Sequence, residues 1–372
     1  MSDTRERELL AWATGEVVQQ FPSACPAQRL QVVSGDASFR RYFRLLLTPS
    51  VALDDEVFRA DTPSHPKALI AVDSPPVTED NAAFVRLAAL LIAAGVRAPS
   101  VLAVDYEQGF MLLEDFGDKM LLPALLDAGE AGALALYSPA FDALLALQEG
   151  VDSDALPDFD KPKLLAEMGL FTEWYCCGLL ALELDARARE VLDRAFEFLV
   201  DAALAQPQCA VHRDYHSRNL MLLDDGELGV IDFQDAVHGA YTYDLVSLLR
   251  DCYISWPPSL VEEWAGLFYQ RRASSSAAVR QRGEQAFKRD FDLMGLQRHL
   301  KVMGIFSRLH LRDNKSAYLA DIPLVTEYFL SVARQHPELS DILAWFEEVV
   351  VPRAAEQTRA RNHKTDGANA KG

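Results

Sequence analysis

The run Val211-His212-Arg213-Asp214-Tyr215-His216-Ser217-Arg218-Asn219-Leu220-Met221, followed by Val230-Ile231-Asp232-Phe233-Gln234-Asp235, holds the residue types that phosphoryl transfer requires. A carboxylate such as Asp214 can accept the proton of a substrate hydroxyl. Asn219 and Asp232 offer hard oxygens of the kind taken by Mg2+, which binds few protein ligands and shares its sphere with ATP phosphates. Asp214, Asn219 and Asp232 are therefore the candidate catalytic residues, with Asn219 and Asp232 as metal ligands. His216, Gln234 and Asp235 lie beside them in the chain and are candidate substrate contacts.

For Asn219 to meet Asp232 the chain must double back. Residues 220–223, the turn Asp224-Asp225-Gly226-Glu227 and residues 228–231 predict a hairpin whose outer ends carry the two side chains. Further upstream, Ser34-Gly35-Asp36-Ala37-Ser38 separates two β-prone runs, 31–33 and 39–45. Small side chains there suit a loop whose backbone comes close to phosphate. A strand over 68–73 ends in Asp73-Ser74-Pro75-Pro76. A helix follows, capped around Thr78-Glu79-Asp80-Asn81 and carrying Phe84, Leu87, Leu91 and Ile92 on its apolar face. Strands over 101–104 and 110–113 lead into a linker at 111–118.

Beyond the linker the apolar pattern is helical over 128–148, 161–182, 186–204, 260–273, 281–306 and 324–335, and a further helix starts at Tyr243. Residues 1–21 read as an amphipathic helix with Leu9, Leu10, Trp12, Ala13, Val17 and Phe21 at helical spacing. Residues 353–372 show no apolar periodicity and are expected to be disordered.

His-Arg-Asp with an Asn after four intervening residues, then Asp-Phe, is similar to the catalytic-loop and metal-loop pair of the protein-kinase-like fold. His216 after the Asp, and Gln234 where protein kinases have Gly, resemble the aminoglycoside phosphotransferase branch. The resemblance covers nearly the whole chain in element order and implies an α+β, two-lobe fold. A small antiparallel-sheet lobe over 22–115 would follow the helix at 1–21, and a mostly helical lobe over 116–352 would complete an ATP cleft. It also implies that Asp214 is the base, that His212 braces the catalytic loop and that Asp244 does the same from the next helix. The phosphate loop would be Ser34, Gly35, Asp36, Ala37 and Ser38. Backbone groups of Glu114 and Phe116 would meet adenine, and Asp118 would reach the ribose or cap the segment after it.

One departure is plain. Kinase-like enzymes carry a lysine on the third strand, whereas this strand ends in Asp73 and its nearest lysine, Lys67, precedes it. Arg41 and Arg44, alternating with Tyr42 and Phe43, are the candidate replacements. Within the branch, Gly35 to Tyr42, Asp73 to Pro76 without a strand lysine, and Arg308 to Leu319 resemble the cell-wall-recycling sugar kinases. That resemblance implies phosphorylation of the anomeric hydroxyl of N-acetylmuramate and N-acetylglucosamine, with hand-off of the 1-phosphate to a nucleotidyltransferase. Arg308, Arg312 and Lys315 are then candidate partners for a lactyl carboxylate, or else a solvated basic face.

Composition narrows the field further. A chain of 372 residues, half of them hydrophobic, can bury a large core, and its formal charge of −19 argues against a nucleic-acid partner. No apolar run reaches the roughly 18–20 residues of a membrane span, and the first residues lack the order of a signal peptide; a cytoplasmic monomer is expected. The five cysteines follow no metal pattern. Two rival readings stay open: a kinase of aminoglycosides or other small amines, whose acidic pocket selects cations, and a nucleotide-binding pseudokinase that regulates.

Overall fold

Phe43, Leu45 and Leu47 alternate with more exposed neighbours along β3 (Arg41–Pro49), the period-two pattern of a strand buried on one face. In the computed structural model, which describes residues 4–34, 39–49 and 66–359, β3 lies within a six-stranded antiparallel sheet. Its strand order is β1 (Ala24–Pro26), β3, β4 (Ala68–Asp73), β6 (Phe110–Glu114), β5 (Val101–Asp105), with β2 (Gln31–Ser34) also paired to β3. Gly35, Asp36, Ala37 and Ser38, the expected phosphate loop, lie outside the described residues.

The chain forms two units: Met1–Leu121 with Asn219–Gln234, and Leu122–Arg218 with Asp235–Gly372. In the first, α1 (Thr4–Gln20) buries Leu9, Ala13 and Val17 in the same core as Leu45, Leu69, Phe110 and Leu112, so the N-terminal helix is part of the sheet unit and not a separate element. Arg5 anchors its first turn, donating to Asp73 at the end of β4 over 2.9 and 2.5 Å. Helix α2 (Asn81–Ala93) starts at Asp80, whose carboxylate accepts from Ala83 N over 2.8 Å, and buries Phe84, Leu87 and Leu91.

Residues 219–234 also belong to this unit, although chain order places them within the helical stretch. The reason is hydrogen bonding. In the hairpin β8 (Leu220–Leu222) and β9 (Leu228–Val230), Leu222 N donates to Lys119 O and Val230 N to Arg97 O. Gly226, at φ 86°, makes its turn in a conformation that favours glycine.

The second unit carries α3 (Leu121–Gly150), α4 (Lys161–Leu170), α5 (Ala186–Leu204), α6 (Tyr243–Leu249), α7 (Pro258–Ser275), α8 (Ala277–Arg282), α9 (Glu284–Asp313), α10 (Ile322–Ala333) and α11 (Ser340–Trp345), plus a two-stranded pairing of β7 (Gln208–Val211) with β10 (Val237–Ala240). Four expectations need correction. The helix expected over 161–182 changes to π-helical winding at Phe171–Leu179. Helix α9 runs to Asp313, beyond the expected end at 306, and stops where Asn314 turns left-handed at φ 56°. Lys315 therefore lies past the helix and does not share a helical face with Arg308 and Arg312. Of the tail expected to be disordered over 353–372, residues 353–359 are helical, with Arg353 Nε donating to Leu180 O over 2.8 Å, and 360–372 lie outside the described residues. Among the described residues no helix is long and apolar enough to cross a membrane.

Helix α9 is buried along most of its length and sets the geometry of the unit. Gly304 lets it touch the end of α4: a Cβ there would lie 2.3 Å from the carbonyl carbon of Leu170. One turn earlier on each helix, Lys301 Nζ meets Glu167 at 3.2 Å. The close backbone approach is thus what lets a buried cation on α9 reach a buried acid on α4. Gly304→Ala should overpack this crossing and lower stability by about 1–3 kcal/mol, seen as an earlier denaturant midpoint. An unchanged midpoint would contradict the packing.

Candidate active site

In the first unit the hairpin closes as its residue types predict. Ile231 N donates to Asn219 O over 3.0 Å, and the Asn219 amide donates from Nδ2 to Asp232 Oδ2 over 3.3 Å. Gln234 Nε2 donates to Asp232 Oδ1 over 2.7 Å. Asp232 itself is exposed and adopts φ 65°, a conformation uncommon outside glycine that persists where surrounding structure enforces it. The enforcing contact is the next residue. Phe233 is buried and packs on Phe84 of α2, ring centroids 4.9 Å apart. A carboxylate and an amide at the mouth of a hairpin are a hard-oxygen donor pair of the size Mg2+ uses when phosphates and water complete its sphere. The donor set fits.

The cations expected to hold phosphate are placed elsewhere. Arg44 donates to Asp115 over 2.5 and 3.1 Å and to Asp118 over 2.9 Å from two nitrogens. These two carboxylates hold its pKa well above the ordinary arginine value despite partial burial. Arg44 therefore fixes the linker, and Asp118 is engaged by it. Arg41 donates to Asp73 Oδ2 over 3.0 and 2.5 Å, sharing that buried carboxylate with Arg5. Both arginines are committed to acids contributed by distant segments.

At the linker, Glu114 N is already spent on Ser100 O, and its carboxylate pairs with Arg97. Phe116 makes no backbone–backbone hydrogen bond among the described residues, so its main chain suits adenine better.

In the second unit two buried carboxylates set the backbone of residues 211–218. Asp244, at the start of α6, accepts from His212 N over 2.6 Å and Arg213 N over 3.0 Å. Arg213 is thereby held at φ 76°, a conformation uncommon outside glycine. Burial pushes Asp244 up to about 7, against those two amide hydrogen bonds. Asp251 accepts from Ser217 N over 2.9 Å and Ser217 Oγ over 2.5 Å. His212 is fully buried and its Nδ1 accepts from Asp214 N over 3.3 Å.

Asp214 is a third exposed at its side chain and faces a cluster of cations. Lys301 Nζ lies 3.8 Å from its Oδ1, 3.2 Å from Glu167 and 2.9 Å from the Tyr243 hydroxyl. Arg213 bonds Glu167 over 2.5 Å, and buried Arg298 donates to Ser247 Oγ. Withdrawal from water raises the pKa of Asp214, but Lys301, His216, Arg298 and Arg213 outweigh it and hold the carboxyl well below the usual range. The surrounding cations thus favour the ionised form of Asp214.

The remaining candidates separate. His216 is half-buried with its ring edge-on to Tyr253, centroids 5.4 Å apart. Asp235 is exposed, and its carbonyl accepts from Arg213 over 3.4 Å. Arg312 is exposed and paired with its neighbour Asp313 over 2.8 and 3.0 Å, which makes it a poor anion clamp. Arg308 has no ion-pair partner among the described residues, and burial together with Arg312 lowers its pKa. Sequence alone missed Lys301, Glu167 and Asp251, whose only signal is a charged residue inside an apolar helical run or a helix end. It also missed Arg218, exposed in the catalytic loop with its guanidinium 3.6 Å from the Tyr253 ring centroid.

The sequence model of the phosphotransferase enzyme family matches residues 29–278. A protein of Pseudomonas aeruginosa named N-acetylmuramate/N-acetylglucosamine kinase is 38% identical over 344 residues, which is 91% of this chain and 95% of that one. The Neisseria meningitidis protein of that name is 36% identical over 86% of this chain and 90% of its own. Among solved structures, a complex of gentamicin with an aminoglycoside phosphotransferase has a TM-score of 0.56 at 15% identity, covering 88% of this chain and 99% of that one. Plasmodium vivax ethanolamine kinase has a TM-score of 0.57 at 11% identity, covering 88% of each. These share the fold, and the sheet unit and the helical unit are its α+β parts.

Replacing Lys301 by Met removes the largest charge that favours ionised Asp214, so its pKa must rise. The acid limb of the kcat/KM profile should then move upward, to the ordinary Asp value of about 3.9 or beyond. Lys301→Arg should leave it in place. An unmoved limb in Lys301→Met would contradict the electrostatic assignment.

Proposed function

We propose that this chain, which belongs to the phosphotransferase enzyme family, uses ATP and Mg2+ to phosphorylate the anomeric hydroxyl of N-acetylmuramate and N-acetylglucosamine. The observation that carries the substrate is the likeness, across nearly the full length of both chains, to kinases bearing those two sugars in their names. Family membership makes it an enzyme, and the acid, the amide and the second acid of the site are all present, which disfavours a purely regulatory module.

The residues fit that chemistry. Asp214 is held ionised by the surrounding cations, so it cannot strip a proton from a poorly acidic alcohol in advance. It can orient a hydroxyl and take its proton late, as a loose phosphoryl-transfer transition state asks. An anomeric hydroxyl is more acidic than an ordinary alcohol, and a weak base suffices for it. Asp232 and Asn219 would hold Mg2+, which supplies neutralisation of charge on the phosphate oxygens. The main chain of Phe116 would align adenine. Asp244 and Asp251 hold the catalytic loop so that Asp214 need not reorganise as the proton moves.

For the lactyl carboxylate of N-acetylmuramate, Arg218 is a better partner than Arg312. It is exposed, belongs to the loop that carries Asp214, and is pre-oriented by stacking on Tyr253. The product, a sugar 1-phosphate, suits a nucleotidyl transfer as the next reaction, and ATP use places the enzyme in the cytoplasm.

ADP release with MgATP should be seen with N-acetylmuramate and N-acetylglucosamine but not with kanamycin or choline, and Asp214→Asn should abolish it. Arg218→Gln should lower kcat/KM for N-acetylmuramate about tenfold or more while sparing N-acetylglucosamine. Turnover confined to the amines would contradict the sugar assignment. An unchanged preference in Arg218→Gln would remove Arg218 from recognition.

A further inference from the structure

The strand position expected to carry a phosphate-binding lysine is used for something else. Asp73, the last residue of β4, is buried and engaged by Arg5 of α1 and Arg41 of β3. A cation of the right kind lies nearby, one residue before β3. Arg40 is only 4% exposed; its Nε donates to Ser74 Oγ over 3.2 Å, and its guanidinium pairs with Glu79 at 3.1 Å. Ser74 follows Asp73 directly, and Glu79 immediately precedes the cap of α2. Ser74 is in turn fixed by Asn81, donating to its Oδ1 over 2.5 Å and accepting at its carbonyl over 2.8 Å. A cation at the end of the third strand, paired with an acid of the following helix, is the arrangement that kinase-like enzymes build from lysine and glutamate. Here the cation comes from the neighbouring strand and the acid from the helix entrance.

A stack of two rings ties this pair to the metal acid within the same unit. The ring of Phe84 carries the Arg40 guanidinium at 5.3 Å from its centroid and packs on Phe233, which follows Asp232. Arginine is the more weakly hydrated cation, suited to a buried pair and to phosphate.

We propose that Arg40, oriented by Glu79, is the cation that receives the nucleotide's α- and β-phosphates in place of a strand lysine, an inference that rests on the ATP-dependent reading above. The pair replaces lysine–glutamate by exchanging strands. It leaves the original position free to anchor α1 through Asp73.

The test compares binding of MgATP with binding of adenosine by calorimetry. Arg40→Met should weaken MgATP roughly tenfold or more and leave adenosine unchanged, because only phosphate contacts are lost. Arg40→Lys should restore most of the affinity. Glu79→Gln, which keeps the cation and changes a partly exposed side chain, should weaken MgATP several-fold and serves if Arg40→Met does not fold. MgATP affinity unchanged in these variants, or adenosine affinity falling in step with it, would overturn the assignment and reduce Arg40 to a fastener of α2. A wild-type chain that bound no MgATP would instead sink the ATP-dependent reading, and the inference with it.

Discussion

The chemistry of this protein depends on a buried cation. Lys301 is about 5% exposed, and its ammonium lies among Glu167, Tyr243 and Asp214. An unpaired charge in such a place would neutralise itself; here burial lowers the lysine's pKa, but Glu167, Tyr243 and Asp214 reverse the shift and hold it above the usual value. Glu167 is stabilised in turn by Lys301 and Arg213, which outweigh its own burial and keep it ionised. The network closes on Asp214, the one member with a third of its side chain in contact with solvent. Breaking such a cluster by removing one partner is costly, because it leaves the others uncompensated. The crossing of α4 and α9 at Gly304 is shaped to keep it intact.

This arrangement links the packing of α4 and α9 to the charge on Asp214. A carboxylate held far below its ordinary pKa is always ready to accept a hydrogen bond and never a strong base. Such a carboxylate suits a transition state in which proton transfer lags behind phosphoryl transfer. The strained backbone at Arg213 and Asp232 points the same way. In one unit Asp244 holds Arg213, the residue before Asp214, through hydrogen bonds; in the other the packing of Phe233 holds Asp232.

What was legible in the sequence was local. The hairpin joining Asn219 and Asp232 comes from a turn between two short β-prone runs. Helix α2 was legible from its cap and apolar stripe. The parts that escaped are those whose meaning depends on a distant partner. Arg41 and Arg44 look like open strand cations until Asp73, Asp115 and Asp118 are folded onto them. Lys301 and Glu167 interrupt apolar helical runs and read as solvent-facing, since helical spacing cannot reveal that the opposite face is also covered. Arg40 stands beside Arg41 and differs from it only in burial, a property no spacing records. The helix over 353–359 was missed because its contact at Arg353 is made with the carbonyl of Leu180, far back in the chain.

The sugar assignment requires that phosphate be transferred to the anomeric oxygen of an N-acetylated sugar. The most direct measurement is the carbon NMR spectrum of the product made from MgATP and N-acetylglucosamine labelled with carbon-13 at C1. The C1 resonance should be split by phosphorus and should collapse on phosphatase treatment. An unsplit C1 resonance in a phosphorylated product would place the phosphate on another hydroxyl and contradict it.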